Sequence, residues 1–379
     1  MDFELTDEQK NFKKMVREFA EKKIAPIARD VDENHVFPWD TIREGGKLGL
    51  MGMTVPSEYG GAGIDRISYM LALEEIGRVC GSHCLTIEAH NSLGVGHLYE
   101  KGNEEQRRKY LPRLTSGQGL AAWALTEPNA GSDAAGTQTT AVKEGDEWVI
   151  NGTKQFITSG SIADVVVVMA MTDKTKGARG ITAFLVDKGN PGMKYGVEEN
   201  KLGLRGTITS EMFFEDCRVP EESQLGDLGD GFVGAMTILD RGRAAIGAMS
   251  VGIAQGALDK AVAYSKERKQ FGKSISEFQA IQFMLADMAT EIEASRLLVH
   301  RAAFMEDKGQ FFSKEASMAK LFASETGVRT ARKAIQILGG HGYLRENEVE
   351  RCFRDVKLCT IGEGTSEVQH MVIAKRLGL

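Results

Sequence analysis

The chain has 379 residues, of which 42% are hydrophobic, and this length is sufficient for two or three domains with cores of their own. Its formal net charge of -6 and the mixing of Lys with Glu along the chain argue against a nucleic-acid-binding groove. No apolar run is long enough to span a bilayer, and the first residues lack the basic and apolar regions of a signal peptide. We therefore expect a globular cytoplasmic protein that binds neither nucleic acid nor membranes.

The first third of the chain has the pattern of helices. Thr6-Asp7-Glu8-Gln9 is a capping box, and apolar residues follow it at three- and four-residue steps, which predicts an amphipathic first helix. Helical patterns continue to about Leu114, with breaks at Pro38, at 59–63 and around Gly102. The glycines within 59–63 lack the strand context of a dinucleotide-binding motif, so we interpret them as a loop. The sequence predicts an N-terminal helical domain over residues 1–114.

The cysteines indicate reduced thiols, because their number is odd and they are scattered along the chain. They are Cys80, Cys84, Cys217, Cys352 and Cys359. His83 stands between the first two and raises the question of a metal site. Zinc needs about four ligands, and no second Cys/His pair stands at a usual spacing. We therefore expect buried thiols and no metal.

Residues 115–228 have the pattern of strands. Short runs of β-branched and aromatic residues alternate with turns rich in Gly, Asn and Asp, and no helix-length segment lies between them. The predicted strands cover residues 119–125, 148–150, 165–171, 181–186 and 211–214, with a turn at Asn151-Gly152. This pattern predicts a middle β domain, built as a mainly antiparallel sheet or a small barrel.

Helical periodicity returns after about Gly229. Long amphipathic segments cover residues 230–269, 277–308, 313–338 and 347–377, and the connections between them are short and contain glycine. Four such helices favour an antiparallel bundle, which we assign to residues 229–379. The predicted fold class is therefore α+β, with a helical, a β and a helical domain in that order.

Five short motifs contain the candidate functional residues. The first, Leu125 to Asp133, places hydroxyl groups, a proline turn and an unhindered glycine directly after a predicted strand, which suits a polar cofactor. The other four are Phe156-Ile157-Thr158-Ser159-Gly160, Glu267-Arg268-Lys269-Gln270-Phe271-Gly272, Gln336-Ile337-Leu338-Gly339-Gly340-His341-Gly342 and Gly362-Glu363-Gly364-Thr365-Ser366. In this order, and over essentially the whole chain, the motifs resemble those of the acyl-CoA dehydrogenases.

The resemblance implies a tetramer in which FAD lies between the β domain and the C-terminal bundle, with a neighbouring subunit completing each site. Thr126 is expected to bind the pyrimidine edge of the flavin and Thr158 the N5 region, with Phe156 packed against the ring. Arg268 and Phe271 are expected to hold the pyrophosphate and adenine half of an FAD in the adjacent subunit. The remaining expected cofactor contacts are Leu125, Ser132, Gln279, Gln336, Gly339, Gly340, Thr365 and Glu367. The expected contacts to the acyl-CoA substrate are Ser132, Asp240, Arg243 and Gly364.

The resemblance also implies that Glu363 is the catalytic base. In these enzymes the glutamate removes the proton α to a thioester carbonyl while the β hydrogen leaves as hydride for the flavin, which gives a 2-enoyl-CoA. The amide of Glu363, with a ribityl hydroxyl of the flavin, is expected to bind the carbonyl oxygen, and exclusion of water should raise the pKa of the carboxyl. The alternative is a solvated glutamate in a turn. A variant position for the base, on the helix near Asp240, falls on Gly242, which cannot act.

Two features depart from the family pattern. Gly362 stands where many straight-chain enzymes have a tyrosine, which suggests a branched, alicyclic or aryl-substituted acyl group, unless another residue refills the volume. The segment 86–92, expected at the far end of the acyl pocket, is unusually polar. This polarity suits either a polar or carboxylated acyl tail or a helix kink satisfied by water.

The expected electron acceptor is an electron-transferring flavoprotein. An enoyl-CoA reductase that runs the reverse reaction remains an alternative, because a reversible hydride step leaves no directional mark on the residues. An oxidase is less favoured, because that branch usually carries additional C-terminal sequence. A catalytically inactive protein that binds flavin or acyl-CoA, and a plain helical scaffold, are further alternatives, against which Glu363, Thr158 and Arg268 together argue.

Overall fold

The structure is a computed structural model that describes residues 4–379. Its N-terminal part is helical, with α1 Asp7–Phe19, α2 Ala28–Asn34, α3 Trp39–Lys47, α4 Arg66–Gly77, α5 Gly81–Ala89, α6 Gly96–Lys101 and α7 Glu104–Thr115. The predicted capping box of α1 is confirmed, because the Gln9 N–H donates to Thr6 Oγ1 at 3.2 Å and the Thr6 N–H donates to Gln9 Oε1 at 3.0 Å.

The polar segment 86–92 covers the end of α5 and the start of a π-helical turn, His90–Val95. Asn91 Nδ2 donates to the carbonyls of Leu50 and Ile87 at 2.9 and 2.8 Å, and its Oδ1 accepts from the Met53 N–H at 3.0 Å. His90 likewise binds the carbonyls of Met51 and Leu114, so these two side chains satisfy backbone groups at an irregular helix turn. The sequence had suggested water for that role.

The middle part is one sheet of eight strands, β1 Ala121–Ala124, β2 Thr140–Glu144, β3 Glu147–Thr158, β4 Val165–Met171, β5 Ile181–Asp187, β6 Met193–Glu198, β7 Thr209–Pro220 and β8 Gln224–Leu225. The strand order is β6-β7-β3-β2-β4-β5-β8, and β1 lies beside β4. Pairing is antiparallel except that β4 is parallel to β1 and, at one residue pair, to β2. The expected mainly antiparallel β domain is therefore confirmed.

The predicted turn at Asn151-Gly152 is wrong. β3 continues through both residues, and its register against β7 shifts between Ile150 and Gly152, as at a β-bulge. A Cβ on Gly152 would lie 2.7 Å from Thr139 Cα, so glycine is required here by the close approach of the backbone rather than by a turn.

The C-terminal part contains α8 Gly231–Glu267, α9 Gln279–Asp307, α10 Ser313–Leu338, α11 Val349–Leu358 and α12 Ser366–Arg376, with a hairpin of β9 Lys269–Gln270 and β10 Lys273–Ser274 between α8 and α9. The single segment predicted over 347–377 is therefore two helices. They are separated because Glu363 and Gly364 take left-handed backbone angles, φ 54° and 97°, and because Thr365 Oγ1 caps α12 by accepting from the Val368 N–H at 3.3 Å.

Helix α8 is central to the core and packs against α4, α9 and α10. Small residues allow the close approach of α4, since a Cβ on Gly252 would lie 3.0 Å from the Glu74 carbonyl carbon and one on Gly256 would lie 3.1 Å from that of Arg78. The helical regions at the two ends of the chain thus share one hydrophobic core. The domain boundaries 1–114, 115–228 and 229–379 stay predictions.

All five cysteines are buried free thiols, as predicted. Across residues 4–379, no group of three or more His, Cys, Asp or Glu side chains is arranged to hold a metal ion. In the same residues, none of the helices has the length and apolar character that crossing a membrane requires.

Candidate active site

Glu363 lies in the loop between α11 and α12. Two buried polar side chains hold this loop by hydrogen bonds to its backbone. Lys320 Nζ donates to the Gly364 carbonyl at 2.7 Å, and Gln369 Nε2 donates to the same oxygen at 2.8 Å. Both side chains are buried. Glu363 as a residue is partly exposed, but its Oε2 is buried and accepts no hydrogen bond from a donor group in residues 4–379. The loop therefore directs one carboxylate oxygen into the protein and leaves it without a conventional donor.

The environment of this carboxyl makes it a weaker acid than an ordinary glutamate. Burial raises the pKa of Glu363 to about 7, and the positive charges of Lys320 and Arg243 oppose that increase. On α8, Gly242 faces the carboxyl, because a Cβ at this position would lie 2.7 Å from Glu363 Cδ. Glycine thus leaves room for the carboxylate, which is poised to exchange a proton near neutral pH.

The predicted substrate contacts Asp240 and Arg243 form an ion pair with each other, and Ser313 Oγ donates to Asp240 Oδ1 at 3.0 Å. Arg243 is buried, and its Nε has no hydrogen-bond partner in the part of the chain that the structure describes. Arg243 is thus brought close enough to Glu363 to influence its pKa, whereas Ser132 lies exposed on the 125–133 loop.

The predicted flavin contacts are brought together at one end of β3. The Gln155 N–H donates to the Thr126 carbonyl at 2.8 Å, which joins the 125–133 loop to the strand that carries Phe156 and Thr158. Phe156 has φ 58° and is 58% exposed. The hydroxyls of Thr126 and Thr158 make no hydrogen bond to another group in residues 4–379.

A buried ion pair fixes this loop. Lys154 Nζ donates to the Leu125 carbonyl at 3.0 Å and to Glu127 Oε1 at 2.7 Å. Glu127 also accepts from the N–H groups of Gln138 and Thr139 at 2.7 and 3.0 Å. Burial lowers the pKa of Lys154 to about 8, and the Glu127 carboxylate opposes that decrease. The pair therefore ties the start of the loop to β3 and, through Glu127, to the segment just before β2.

The residues predicted for the pyrophosphate and adenine half lie together at one end of the bundle. Phe271 is at the turn of the β9–β10 hairpin, 93% exposed, with its ring centroid 6.1 Å from that of Phe278. Tyr264 joins this hairpin to the end of α10, since its carbonyl accepts from the Arg268 N–H at 2.9 Å and its ring lies 5.9 Å from that of His341. The exposed predicted contacts of this surface are Arg268, Phe271, Gln279, Gln336, Gly339 and Gly340. Thr365 and Glu367 lie instead at the start of α12.

The residues at the end of β3 and those at the end of the bundle suit an elongated, negatively charged cofactor with aromatic ends. Phe156 and Phe271 are large rings exposed to solvent, and the Arg268 guanidinium has no ion pair or hydrogen bond elsewhere in residues 4–379. A Cβ on Gly339 or Gly340 would meet nothing within 4 Å, so the backbone there is open to a ligand. The residues present fit FAD.

Sequence analysis missed the side chains that support the site: Lys154, Glu127, Lys320, Gln369 and, as an individual residue, Glu88. A signal existed for Lys320, because it lies on the alanine-lined face of α10 with Ala316 and Ala323 at helical spacing. A lysine on such a face is buried only with partners, which marks it as a candidate.

Comparison with known families agrees with this geometry. Family descriptions for the N-terminal, middle and C-terminal domains of acyl-CoA dehydrogenases match residues 6–118, 122–217 and 229–378. The chain belongs to the acyl-CoA dehydrogenase family. It is accordingly a flavin-dependent oxidoreductase that acts on acyl-CoA thioesters and uses FAD.

Similar proteins cover the whole chain. It is 52% identical over 378 residues to the probable acyl-CoA dehydrogenase YngJ of Bacillus subtilis, with 100% of both chains covered. It is 47% identical to subunit CarC of the caffeyl-CoA reductase-Etf complex of Acetobacterium woodii, with 98% of each covered. The solved structure of butyryl-CoA dehydrogenase from Megasphaera elsdenii is 45% identical, covers 100% of both chains and superimposes with a TM-score of 0.98.

Replacing Lys154 with Ala should destabilise the protein and weaken FAD binding. The change removes one partner of a buried ion pair, which costs about 3–5 kcal/mol in typical proteins. Thermal unfolding and the ratio of bound FAD to protein measure both effects. Lys143→Ala is the matched control, because Lys143 pairs with Glu221 on the surface and should change neither quantity appreciably. Equal unfolding midpoints for the two variants would show that the buried pair does not hold the loop.

Replacing Gly242 with Ala should displace the Glu363 carboxyl, because the new methyl group would overlap it. Misplacement by about 1 Å can cost roughly 100-fold in rate, so we expect kcat to fall by that order with FAD still bound. Gly45→Ala on α3 is the control, since a Cβ there would meet Leu50 only at 3.7 Å and the position lies away from the site. Wild-type kcat in Gly242→Ala would contradict the placement of the carboxyl beside α8.

Proposed function

We propose that Glu363 removes the α proton of an acyl-CoA thioester bound beside the α11–α12 loop. The observation that supports this role is a carboxylate oxygen that is buried, lacks a conventional donor and lies next to the bare Cα of Gly242. A pKa of about 7 leaves a substantial ionised fraction at neutral pH while keeping the group basic enough to accept a proton. When bound, FAD supplies the acceptor for the β hydride, and the product is a 2-enoyl-CoA.

The backbone of the same loop is suited to stabilise the enolate that develops as the proton leaves. The Glu363 N–H donates to no other group in residues 4–379. We propose that it donates to the thioester carbonyl oxygen, which orients the α carbon toward the carboxylate of the same residue. The left-handed angles at Glu363 and Gly364 expose this amide.

The proposed cofactor site has two parts. Thr126, Phe156 and Thr158, with Leu125 and Ser132, would hold the flavin end. The second set would hold the pyrophosphate and adenine end in a neighbouring subunit: Arg268, Phe271, Gln279, Gln336, Gly339 and Gly340. Thr365 and Glu367 would complete the site beside the catalytic loop. The residues proposed for the pyrophosphate and adenine end are exposed to solvent in one subunit alone. This exposure supports a homotetramer in which each subunit contributes to the cofactor site of another.

Substrate selectivity is proposed to depend on Gly362, because a glycine beside the base leaves space that a tyrosine would fill. CarC is named for a reductase of caffeyl-CoA, an aryl-substituted thioester, and the Megasphaera protein is named for butyryl-CoA. A pocket that accepts short, branched or aryl-substituted acyl groups is consistent with both relatives. Asp240, Arg243, Ser132 and Gly364 are the proposed contacts to the rest of the thioester.

The proposed electron partner is an electron-transferring flavoprotein, as the name of the CarC complex indicates for that relative. The same name supports a second candidate function, reduction of an enoyl-CoA in the reverse direction. Oxidation of an acyl-CoA remains the leading proposal, because YngJ and the Megasphaera enzyme are both named dehydrogenases. The cytoplasmic location expected from the sequence belongs to the same proposal.

Glu363→Gln should abolish dehydrogenation while FAD stays bound. Loss of a general base typically costs about 10²–10⁴-fold in rate, and the amide cannot accept the proton. Anaerobic mixing with butyryl-CoA, followed by flavin absorbance, measures the rate. Retention of the yellow chromophore is the control for folding, and rapid bleaching in the variant would refute the role of the base.

The pH dependence of kcat/KM should show one acid limb. Because the pKa of Glu363 is raised to about 7, the base becomes ionised as the pH rises through this value. Below it, kcat/KM should fall about tenfold per pH unit. An acid limb at the ordinary glutamate pKa would contradict the burial of this carboxyl.

Arg268→Ala should weaken FAD binding without changing the active-site loop. A charged hydrogen bond contributes about 1.5–3 kcal/mol, so the dissociation constant should rise by roughly 10- to 100-fold. Equilibrium dialysis of FAD measures the change. Lys266→Ala removes a positive charge two residues away and should bind FAD normally, and equal weakening in both variants would indicate only a general charge effect.

Gly362→Tyr should narrow the substrate range. The ring would fill space beside the base, so turnover of branched, cyclic and aryl-substituted thioesters should fall by more than that of butyryl-CoA. A panel of acyl-CoA thioesters, scored by flavin bleaching, measures the ratio for wild type, Gly362→Ala and Gly362→Tyr. An unchanged preference in the tyrosine variant would show that another residue bounds the pocket.

A further inference from the structure

A second buried carboxyl group faces the first. Glu88, on α5, is 0% exposed, and its carboxyl lies next to the Glu363 carboxyl, close enough for a hydrogen bond when one of the two is protonated. Ser92 Oγ donates to Glu88 Oε1, whereas Glu88 Oε2 receives no hydrogen bond from a donor group in residues 4–379. The two orphaned oxygens, Glu88 Oε2 and Glu363 Oε2, therefore belong to two carboxyls in contact with each other. A proton held between the carboxyls gives both oxygens a partner.

Two carboxylates in contact away from water do not both ionise, because each negative charge raises the free energy of the other. The two groups therefore hold one proton between them near neutral pH. Burial and the charge of Glu363 raise the pKa of Glu88 well above its usual range.

The surrounding charges decide which carboxyl keeps the proton. Lys320 on α10 and Arg243 on α8 both act on Glu363 and stabilise its negative charge. Apart from Glu363, the titratable groups that act on Glu88 are uncharged at neutral pH: Tyr69 on α4, Cys84 one turn earlier on α5 itself, and Cys359 after α11. The negative charge is therefore more stable on Glu363, and the proton is more stable on Glu88.

We propose that Glu88 is a positioning residue which, as a neutral acid, donates a hydrogen bond to Glu363 Oε2 and holds the ionised carboxylate in place for catalysis. The inference rests on the proposed role of Glu363 and adds a second residue to it. Ser92 fixes the other oxygen of Glu88, so that the donor points to Glu363. The proton on Glu88 is not transferred during turnover; its hydrogen bond stabilises the charged form of the base and keeps Glu363 ionised near neutral pH.

Two substitutions of similar volume separate this role from simple packing. Glu88→Gln keeps a donor at the same position, whereas Glu88→Leu fills the space without one. We expect the acid limb of kcat/KM in Glu88→Gln to stay near that of wild type. In Glu88→Leu the limb should move to higher pH by about one unit, so that kcat/KM below the wild-type midpoint falls about tenfold and recovers at alkaline pH.

Ser92→Ala gives an independent test if Glu88→Leu does not fold. This change removes only the bond that orients Glu88, and the limb should shift in the same direction by a smaller amount. FAD content of each variant is the control for folding. If Glu88 carries the negative charge instead, its removal would relieve repulsion and move the limb to lower pH, which would overturn the proposal. An unshifted limb in both Glu88→Leu and Ser92→Ala would overturn it as well.

Infrared difference spectroscopy tests the location of the proton without turnover. At neutral pH, the carbonyl stretch of a protonated carboxyl should be lost in Glu88→Gln and retained in Glu363→Gln. Loss of that band in Glu363→Gln but not in Glu88→Gln would assign the proton to Glu363 and contradict the proposal. Failure of Glu363 as the base would appear separately, as full activity in Glu363→Gln.

Discussion

The burial of one carboxylate oxygen is the constraint on which the rest of the site depends. In water Glu363 would be a weak base, whereas its position between α8 and the α11–α12 loop raises its pKa to about 7. The loop keeps this position because Lys320 and Gln369, both buried, bind the carbonyl of Gly364. A glycine at position 242 leaves the space that the carboxylate occupies. The fold thus keeps this carboxylate oxygen away from water.

Helices from both ends of the chain support that arrangement. Helix α8 provides the bare face at Gly242 and the positive charge of Arg243, and α10 provides Lys320. Helix α5 brings Glu88 against the carboxyl, and the irregular turn after α5 is held by the backbone bonds of Asn91. The sheet presents the 125–133 loop, fixed by the Lys154–Glu127 pair. The buried lysines beside these two loops thus each bind a carbonyl of the loop that they hold.

Sequence patterns were sufficient for the order of the helical, β and helical parts and for the first three long helices of the C-terminal part, because these depend on local periodicity. The assignment of Glu363 as the base rests on a short motif and stays a prediction. Sequence patterns failed at Asn151-Gly152, where residues typical of a turn lie at a β-bulge within β3. They also failed over 347–377, where left-handed backbone angles at Glu363 and Gly364 divide one apparent helix into two. Glu88 and Lys320 are distant in sequence from Glu363. No local pattern could show that these side chains meet, because their contact is created by the packing of α5, α10 and the loop.

Exchange of the substrate's α proton tests the central claim most directly. Methylthioacetyl-CoA carries sulfur in place of the β carbon, so it has an α proton but no β hydride to lose. The holoenzyme in deuterated water should exchange one α hydrogen of this thioester for deuterium, as mass spectrometry would detect, and Glu363→Gln should not. Exchange at the wild-type rate in Glu363→Gln, or none in the wild type with the thioester bound, would contradict the assignment of Glu363 as the base.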